Sequence, residues 1–362
     1  MKRIIRSMTI LLLVVCAQYG KAEFNVAEFP PDFRISQTIA NSENEIILSG
    51  YVGKPSKPTP IILCSDDNGK VLWKVLPEDK SGIFSDIACF TKDQFLAIRQ
   101  EVNEHLCCYI DIYEEDKLVN EIQLPYRVYR AFSVVDGVIL FAHNEFDAYQ
   151  LVLITADGSI RKMVDIQKNA VILDITQLQN EYVAVGYTQE NNAADNYGFA
   201  AIIDNDGNDI QSFYSSQIET YKAVLASDDG WYIIGDTYDP ESTAMYSSML
   251  FFSNRTSQVY HTNNDVETMP QRDKLVLDAV LLENGCMIAI KERKKGNVVI
   301  VQCFDKSGGI SDAFEIDIDP IINVQDAYIF AIDDMHLLVA TGYCEEDNYQ
   351  KYKTVIKHIK QR

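Results

Sequence analysis

The sequence is short of positive charge. Across 362 residues, 32 lysines and arginines stand against 53 aspartates and glutamates, a formal charge of −21. Such a surface repels phosphate backbones and anionic membranes, which argues against nucleic acid and polyanionic glycans as partners unless a local basic patch forms. Sustained helical periodicity is missing after the N-terminus, so an α/β architecture has little support. There is no HxH or HExxH spacing among His105, His143, His261, His336 and His358, no CxxC pair, no GxSxG elbow, no P-loop and no dinucleotide fingerprint. Zinc, redox, nucleotide and α/β-hydrolase chemistries therefore lack their usual carriers, and no cofactor is expected. No Pro/Ser linker or low-complexity run divides the chain, so residues 23–362 are read as one domain.

What is present is repetition. The segments IILSGY, FLAIRQ, VILFAH, YVAVGY, WYIIGD, MIAIKE and LVATGY align without gaps on Gly50, Arg99, Ala142, Gly186, Gly235, Lys291 and Gly342, in steps of 49, 43, 44, 49, 56 and 51 residues. A period of forty to fifty residues with about four strands per unit marks the blades of a β-propeller, each a small sheet that buries its faces against its neighbours. The expected fold is all-β: a seven-bladed propeller of four-stranded antiparallel blades. Asp67-Asn68-Gly69, Ala156-Asp157-Gly158, Asn205-Asp206-Gly207 and Ser307-Gly308-Gly309 supply tight turns between third and fourth strands, with Glu115-Asp116 and Asn254-Arg255 in two others. Gly and Asn tolerate the positive φ that such hairpins need.

The clearest unit, NEYVAVGYTQENNAADNYGFAAIIDNDGNDIQSF at 180–213, resembles the repeats of secreted bacterial propellers with a GY…D-x-D/N-G-N pattern. The resemblance covers nearly the whole chain after residue 22. Its motifs are turn and packing residues, so it implies a fold and no catalytic residue.

Two features bear on the ends. Lys2, Arg3 and Arg6 precede the apolar run Met8 to Ala17, and Gly20-Lys21-Ala22 offers small residues for cleavage, so 1–22 reads as a signal peptide. The run is too short to span a bilayer, and the mature chain is expected to be periplasmic or secreted without an integral membrane segment. The alternative is lipid anchoring at Cys16, although Val15 sits where a lipobox has a small residue. Losing Lys2, Arg3, Arg6 and Lys21 takes the charge from −21 to −25. The final repeat lacks a fourth strand, whereas Phe24 to Glu28 is a β-like run with no unit of its own. That run is expected to complete the last blade and seal the ring.

Candidate functional positions follow from the repeat. In a propeller the first strand of each blade lines the axis, and aligning these strands brings Ser36, Asp86, Arg130, Asp174, Lys222, Asp278 and Asp326 to one level. Two roles compete for this ring. As braces, its members tie blade to blade, with Asp86–Arg130 and Asp174–Lys222 as candidate pairs. As a funnel, they bind a ligand at the axial mouth. Tyr126, Tyr129, Tyr187, Tyr197, Tyr238, Tyr246 and Tyr343 fall near strand ends, where tyrosine favours recognition of a protein or a neutral glycan.

Other motifs are weaker. Ser65 to Trp73 resembles the Asp-box of sialidase-type propellers with its aromatic displaced by one residue; such boxes are structural. Asp204-Asn205-Asp206-Gly207 lacks the distal ligands of a calcium loop. His143-Asn144-Glu145 offers two metal ligands at most, and the acidic clusters 114–116 and 345–347 read as solvated turns. Loss of Cys16 leaves seven cysteines. If 293–296 is a four-residue loop, Cys286 and Cys303 face each other, which leaves a cross-strand disulfide or two buried thiols open. The expected function is a binding or scaffolding module for a protein or carbohydrate. The alternative is a propeller hydrolase or lyase that uses two axial carboxylates with separated pKa values.

Overall fold

The computed structural model describes residues 24–359 apart from breaks at 27–28, 31, 42, 44, 55, 78–79, 102–107, 144–147, 167–168, 190–194, 229, 240–243, 254–258, 263–273, 284, 293–295, 306–309, 320, 333–334 and 347–348. The signal-peptide reading, the expected turns at Asn254-Arg255 and Ser307-Gly308-Gly309 and the Asn144-Glu145 half of the metal motif lie outside the described residues. The described residues form β-strands and turns, with all pairings antiparallel and the strands of each sheet following chain order, except that Phe24–Val26 lies beside the last strand, Tyr349–Ile359. In the first repeat Arg34–Ala40, Ile46–Lys54, Lys57–Ser65 and Val71–Val75 pair in sequence; the same meander recurs along the chain.

By hydrogen bonding the strands make six sheets, not the seven expected. Five have four strands, and one has seven. The difference comes from one strand, Asp209–Ser227, whose 19 residues run through the boundary between the fourth and fifth repeats. Its first part pairs with Asn196–Asp204, and its second part, from Glu219, pairs with Gly230–Asp239. At the N-terminal end Phe24, Asn25 and Val26 pair antiparallel with Lys357, Ile356 and Val355 on the outer side of the last sheet.

Middle strands are buried almost without interruption, as in Gly137–His143, because both faces of each sheet are covered. The core is divided into seven apolar clusters, each drawn from two consecutive repeats. One of them joins the last repeat to the first, packing Leu337, Val339 and Ile356 on Phe33, Ile35 and Leu48. Among the described residues, hairpin turns form at Asp67-Asn68-Gly69, Ala156-Asp157-Gly158 and Asn205-Asp206-Gly207 as predicted. Gly69, Gly158 and Gly207 have φ of 80°, 82° and 84°, and Glu115 takes φ 52° in the turn that lacks glycine.

The glycine of the GY motif has a packing cause. A Cβ on Gly186 would fall 1.9 Å from the carbonyl oxygen of Val171 on the inner strand. Backbone cannot retreat there without breaking the sheet, so Gly186→Ala is expected to cost about 3 kcal/mol or more. A urea melt checks this, and a loss below about 1 kcal/mol would contradict the packing argument.

Candidate functional site

Each inner strand carries a β-bulge at the same height. The register skips one residue between Ile35 and Gln37, Phe84 and Asp86, Val128 and Arg130, Ile172 and Asp174, Tyr221 and Ala223, Val276 and Asp278, and Val324 and Asp326. The residues just past the bulge are therefore Gln37, Asp86, Arg130, Asp174, Ala223, Asp278 and Asp326. Five match the sequence alignment. Ser36 and Lys222 are instead the extra residues of their bulges, one position early, because periodicity alone does not locate an inserted residue.

Several ring members hold the next repeat. Asp86 accepts the N–H of Ile87 at 2.9 Å through one oxygen and that of Ala131, on the following inner strand, at 2.9 Å through the other. Asp174 does the same with Ile175 and Val224, both at 2.8 Å. Asp278 accepts the N–H of Ile329 at 2.8 Å, and Gln37 hydrogen-bonds Asp86. The fifth repeat has Ala223 at this position, and its tie comes from Asp236 on the second strand, which accepts the Val276 N–H at 2.7 Å. Lys222 stands 4.0 Å from that same Asp236, so the expected Asp174–Lys222 pair is replaced by Lys222–Asp236. Asp86 is bonded to backbone amides rather than paired with Arg130, whose charge acts on it at longer range.

Burial dominates the acidity of these carboxyls. It pushes Asp86 up to about 6, against the opposing charge of Arg130 and the amide bonds from Ala131 and Ile87. It pushes Asp174 and Asp278 up to about 7, and the charge of Asp278 raises Asp174 further.

A second charged cluster went unseen in the sequence. Arg99, 2% exposed, takes the motif position that is glycine in four repeats, and its guanidinium runs across its sheet. It donates to Asp111 at 2.9 Å and Glu121 at 2.8 Å, lies 3.5 Å from Glu101 and stacks 4.1 Å from the Tyr109 ring centroid. Lys80 adds contacts to Asp111 and Glu121. The cue lay in a single residue, an arginine inside the otherwise apolar segment FLAIRQ.

The tyrosines collect on one end. In each antiparallel meander, the start of the inner strand and the connection between second and third strands share a face. Tyr187 pairs with Val171, Tyr343 with Asn323, Tyr197 with Thr188, and Tyr238 with Met245, all at that end; Tyr126 and Tyr129 flank the start of Arg127–Val134. Nothing is described of the Tyr246 side chain. Tyr129, His143 and Tyr149 contact one another there, with ring centroids 4.9 to 6.4 Å apart, and Arg127 lies 5.1 Å from the Tyr129 centroid. The hairpins rich in Asp, Asn and Gly occupy the opposite end.

Other motifs resolve into structure. In the Asp-box-like hairpin, Asp66 Oδ1 accepts the N–H groups of Asn68 and Lys70 while Trp73 stacks on Phe95 of the next repeat. Asp204 accepts the Asn208 N–H at 2.7 Å, forming a side-chain-closed turn. Cys286 lies opposite Phe304, and Cys303 lies opposite Met287, a slip of one residue from the expected register. The two point to opposite faces, into different apolar clusters, and are thiols rather than a disulfide. Burial raises them to about 12 and about 11. Among the described residues no group of three or more His, Cys, Asp and Glu is placed to hold a metal ion, and no helix is long and apolar enough to cross a membrane.

Repeated four-stranded meanders packed face to face define a β-propeller fold. Solved structures bear this out. The chain is similar to the WD40 β-propeller domain of Doa1 (TM-score 0.57, 12% identity, 94% of this chain and 98% of that one). It is also similar to hydrazine synthase of Kuenenia stuttgartiensis (0.62, 10%, 95% and 98%) and to a chain of the complex of KlAtg21 with the coiled coil of AgAtg16 (0.56, 9%, 91% and 99%). At these identities the likeness concerns the fold. No protein-family model and no curated protein matches the chain.

Proposed function

We propose that the protein is an exported, seven-bladed β-propeller that binds a protein or carbohydrate partner through the tyrosine-bearing face. The observation that carries this is the gathering of tyrosines from several repeats at one end of the meanders. Tyrosine gives contact area at low entropy cost, and a propeller presents such a face rigidly. A propeller that meets a protein partner has a precedent in the complex of KlAtg21 with a coiled coil. Seven blades follow if the seven-stranded sheet is two blades that share Asp209–Ser227, a count supported by the seven apolar clusters. Residues 1–22 direct export and are removed, placing the mature chain outside the cytoplasm.

The ring serves mainly as a brace. Asp86 and Asp174 each spend both oxygens on backbone amides, and burial raises Asp86, Asp174 and Asp278 together, whereas an acid–base pair needs one carboxyl held low. These features favour the module over the hydrolase.

The test is capture of envelope-fraction partners by wild type and by a Tyr187→Glu, Tyr343→Glu variant, with Leu118→Glu on an outer strand as control. Loss of capture in the tyrosine variant alone supports the reading; equal capture by all three sinks it. N-terminal sequencing of the exported protein is expected to begin at Glu23. The short strand Phe24–Val26 closes the ring, so deleting residues 24–28 should lower the Tm by about 5 °C or more. An unchanged thermal scan would remove that role.

A further inference from the structure

The ring has one member whose hydrogen-bonding capacity is unspent. Among the described residues the half-buried guanidinium of Arg130 makes no hydrogen bond and no ion pair. Its charge nonetheless acts on Asp86, Asp174 and Tyr328, which belong to the second, fourth and seventh repeats. Arg130 stands just past the bulge of its inner strand, at the level that Asp86 and Asp174 occupy on the inner strands of the two flanking repeats. The acids around it are engaged elsewhere: Asp86 and Asp174 hold amides through both oxygens, and Asp278 holds Ile329 and Ala279. The free valence of this acid-rich ring is therefore cationic.

We propose that Arg130 receives a single carboxylate at the axial mouth. Five N–H donors in a planar fork match a carboxylate with two parallel hydrogen bonds. A doubly charged phosphate group fits less well, because the same ring carries Asp86, Asp174, Asp278 and Asp326 and the whole chain carries −21. Access comes from the tyrosine face. Arg130 follows the bulge residue Tyr129, and Arg127 stacks on the Tyr129 ring at the exposed start of the same strand, a second cation along the path. The carboxylate belongs to a free small molecule or to the C-terminus of a partner chain. The proposal rests on the tyrosine end being the binding face.

The experiment is titration calorimetry on the mature chain, using acetylglycine, acetylglycinamide, and a mixed peptide pool with free or amidated C-termini. Free acids are expected to bind saturably and amides not. Arg130→Gln should weaken binding by about tenfold to a hundredfold, with partial recovery in Arg130→Lys. Binding of acetylglycine points to a small-molecule source, and binding of the free-acid peptides alone points to a chain terminus. No free acid binding up to about 10 mM, equal binding by amides, or full binding in Arg130→Gln overturns the proposal. If Arg130→Gln does not fold, the acid-against-amide comparison on wild type still decides. Partner capture that needs Tyr187 and Tyr343 but is indifferent to amidation and to Arg130 would sink the carboxylate site while leaving the binding-module reading intact.

Discussion

Arg99→Ala is expected to destabilise the protein by about 3–5 kcal/mol, the usual cost of removing one partner from a buried ion pair. Asp111 is fully buried, and without Arg99 its nearest cation is Lys80 at 3.6 Å. The substitution also removes the stem that covers the Tyr109 ring. Replacing both Arg99 and Asp111 by apolar residues of similar size should recover much of the loss, since an uncompensated charge then no longer remains. Denaturant melts of the two singles and the double give the coupling. A loss under about 1 kcal/mol for Arg99→Ala would mean that solvent reaches the cluster and screens it.

The second large effect is a dependence of stability on pH set at the axis. Asp174 and Asp278 have folded-state pKa values of about 7 against an ordinary 3.8, because burial penalises their charged forms. A carboxyl raised in the folded state binds protons more tightly there than in the unfolded chain. Its stabilising contribution is fully present below about pH 4 and is lost as pH rises through about 7. Lowering pH from 8 to 5 should therefore stabilise the protein by about 2–4 kcal/mol in total, an amount reduced from the full shift because Asp174 and Asp278 are half-buried rather than sealed from solvent. General charge repulsion relaxes in the same direction, so the diagnostic quantity is the slope. In an Asp174→Asn, Asp278→Asn variant the pH slope should flatten. That variant is also expected to be weaker at every pH, since at Asp174 an amide cannot accept both the Ile175 and the Val224 N–H. Equal slopes in variant and wild type would show that these two groups do not titrate in the window.

How much of this was written in the sequence can be judged residue by residue. The meander and its turns were legible because strand segments and Gly/Asn turns recur every 43 to 56 residues, and Gly69, Gly158 and Gly207 adopt the positive φ that their identity implied. The ring was legible in five repeats. It slipped by one at Ser36 and Lys222 because a bulge inserts a residue without changing the hydrophobic pattern around it. The same kind of slip separated Cys286 from Cys303, where a hairpin one residue longer than assumed sends the side chains to opposite faces. The role of Asp236 was hidden for another reason. It sits on a second strand and takes over a tie that Ala223 cannot make, a substitution between elements that a position-by-position alignment does not reveal. Arg99 was visible only as an oddity, and its closest partners, Asp111 and Glu121, come from two other strands.

The uninterrupted strand Asp209–Ser227 has a mechanical meaning. Between the first and second repeats the chain passes through a connection after Val75 and before Ile83, where a cut leaves both sheets whole. Between the fourth and fifth repeats the covalent link is itself hydrogen-bonded to Asn196–Asp204 on one half and to Gly230–Asp239 on the other. A circular permutant opened at 218/219 thus cuts the seven-stranded sheet through its shared strand, whereas one opened in the connection between Val75 and Ile83 moves the ends without cutting a strand. A continuous strand at one boundary and an unpaired connection at another mean that force applied across the face would be borne unequally by the repeats.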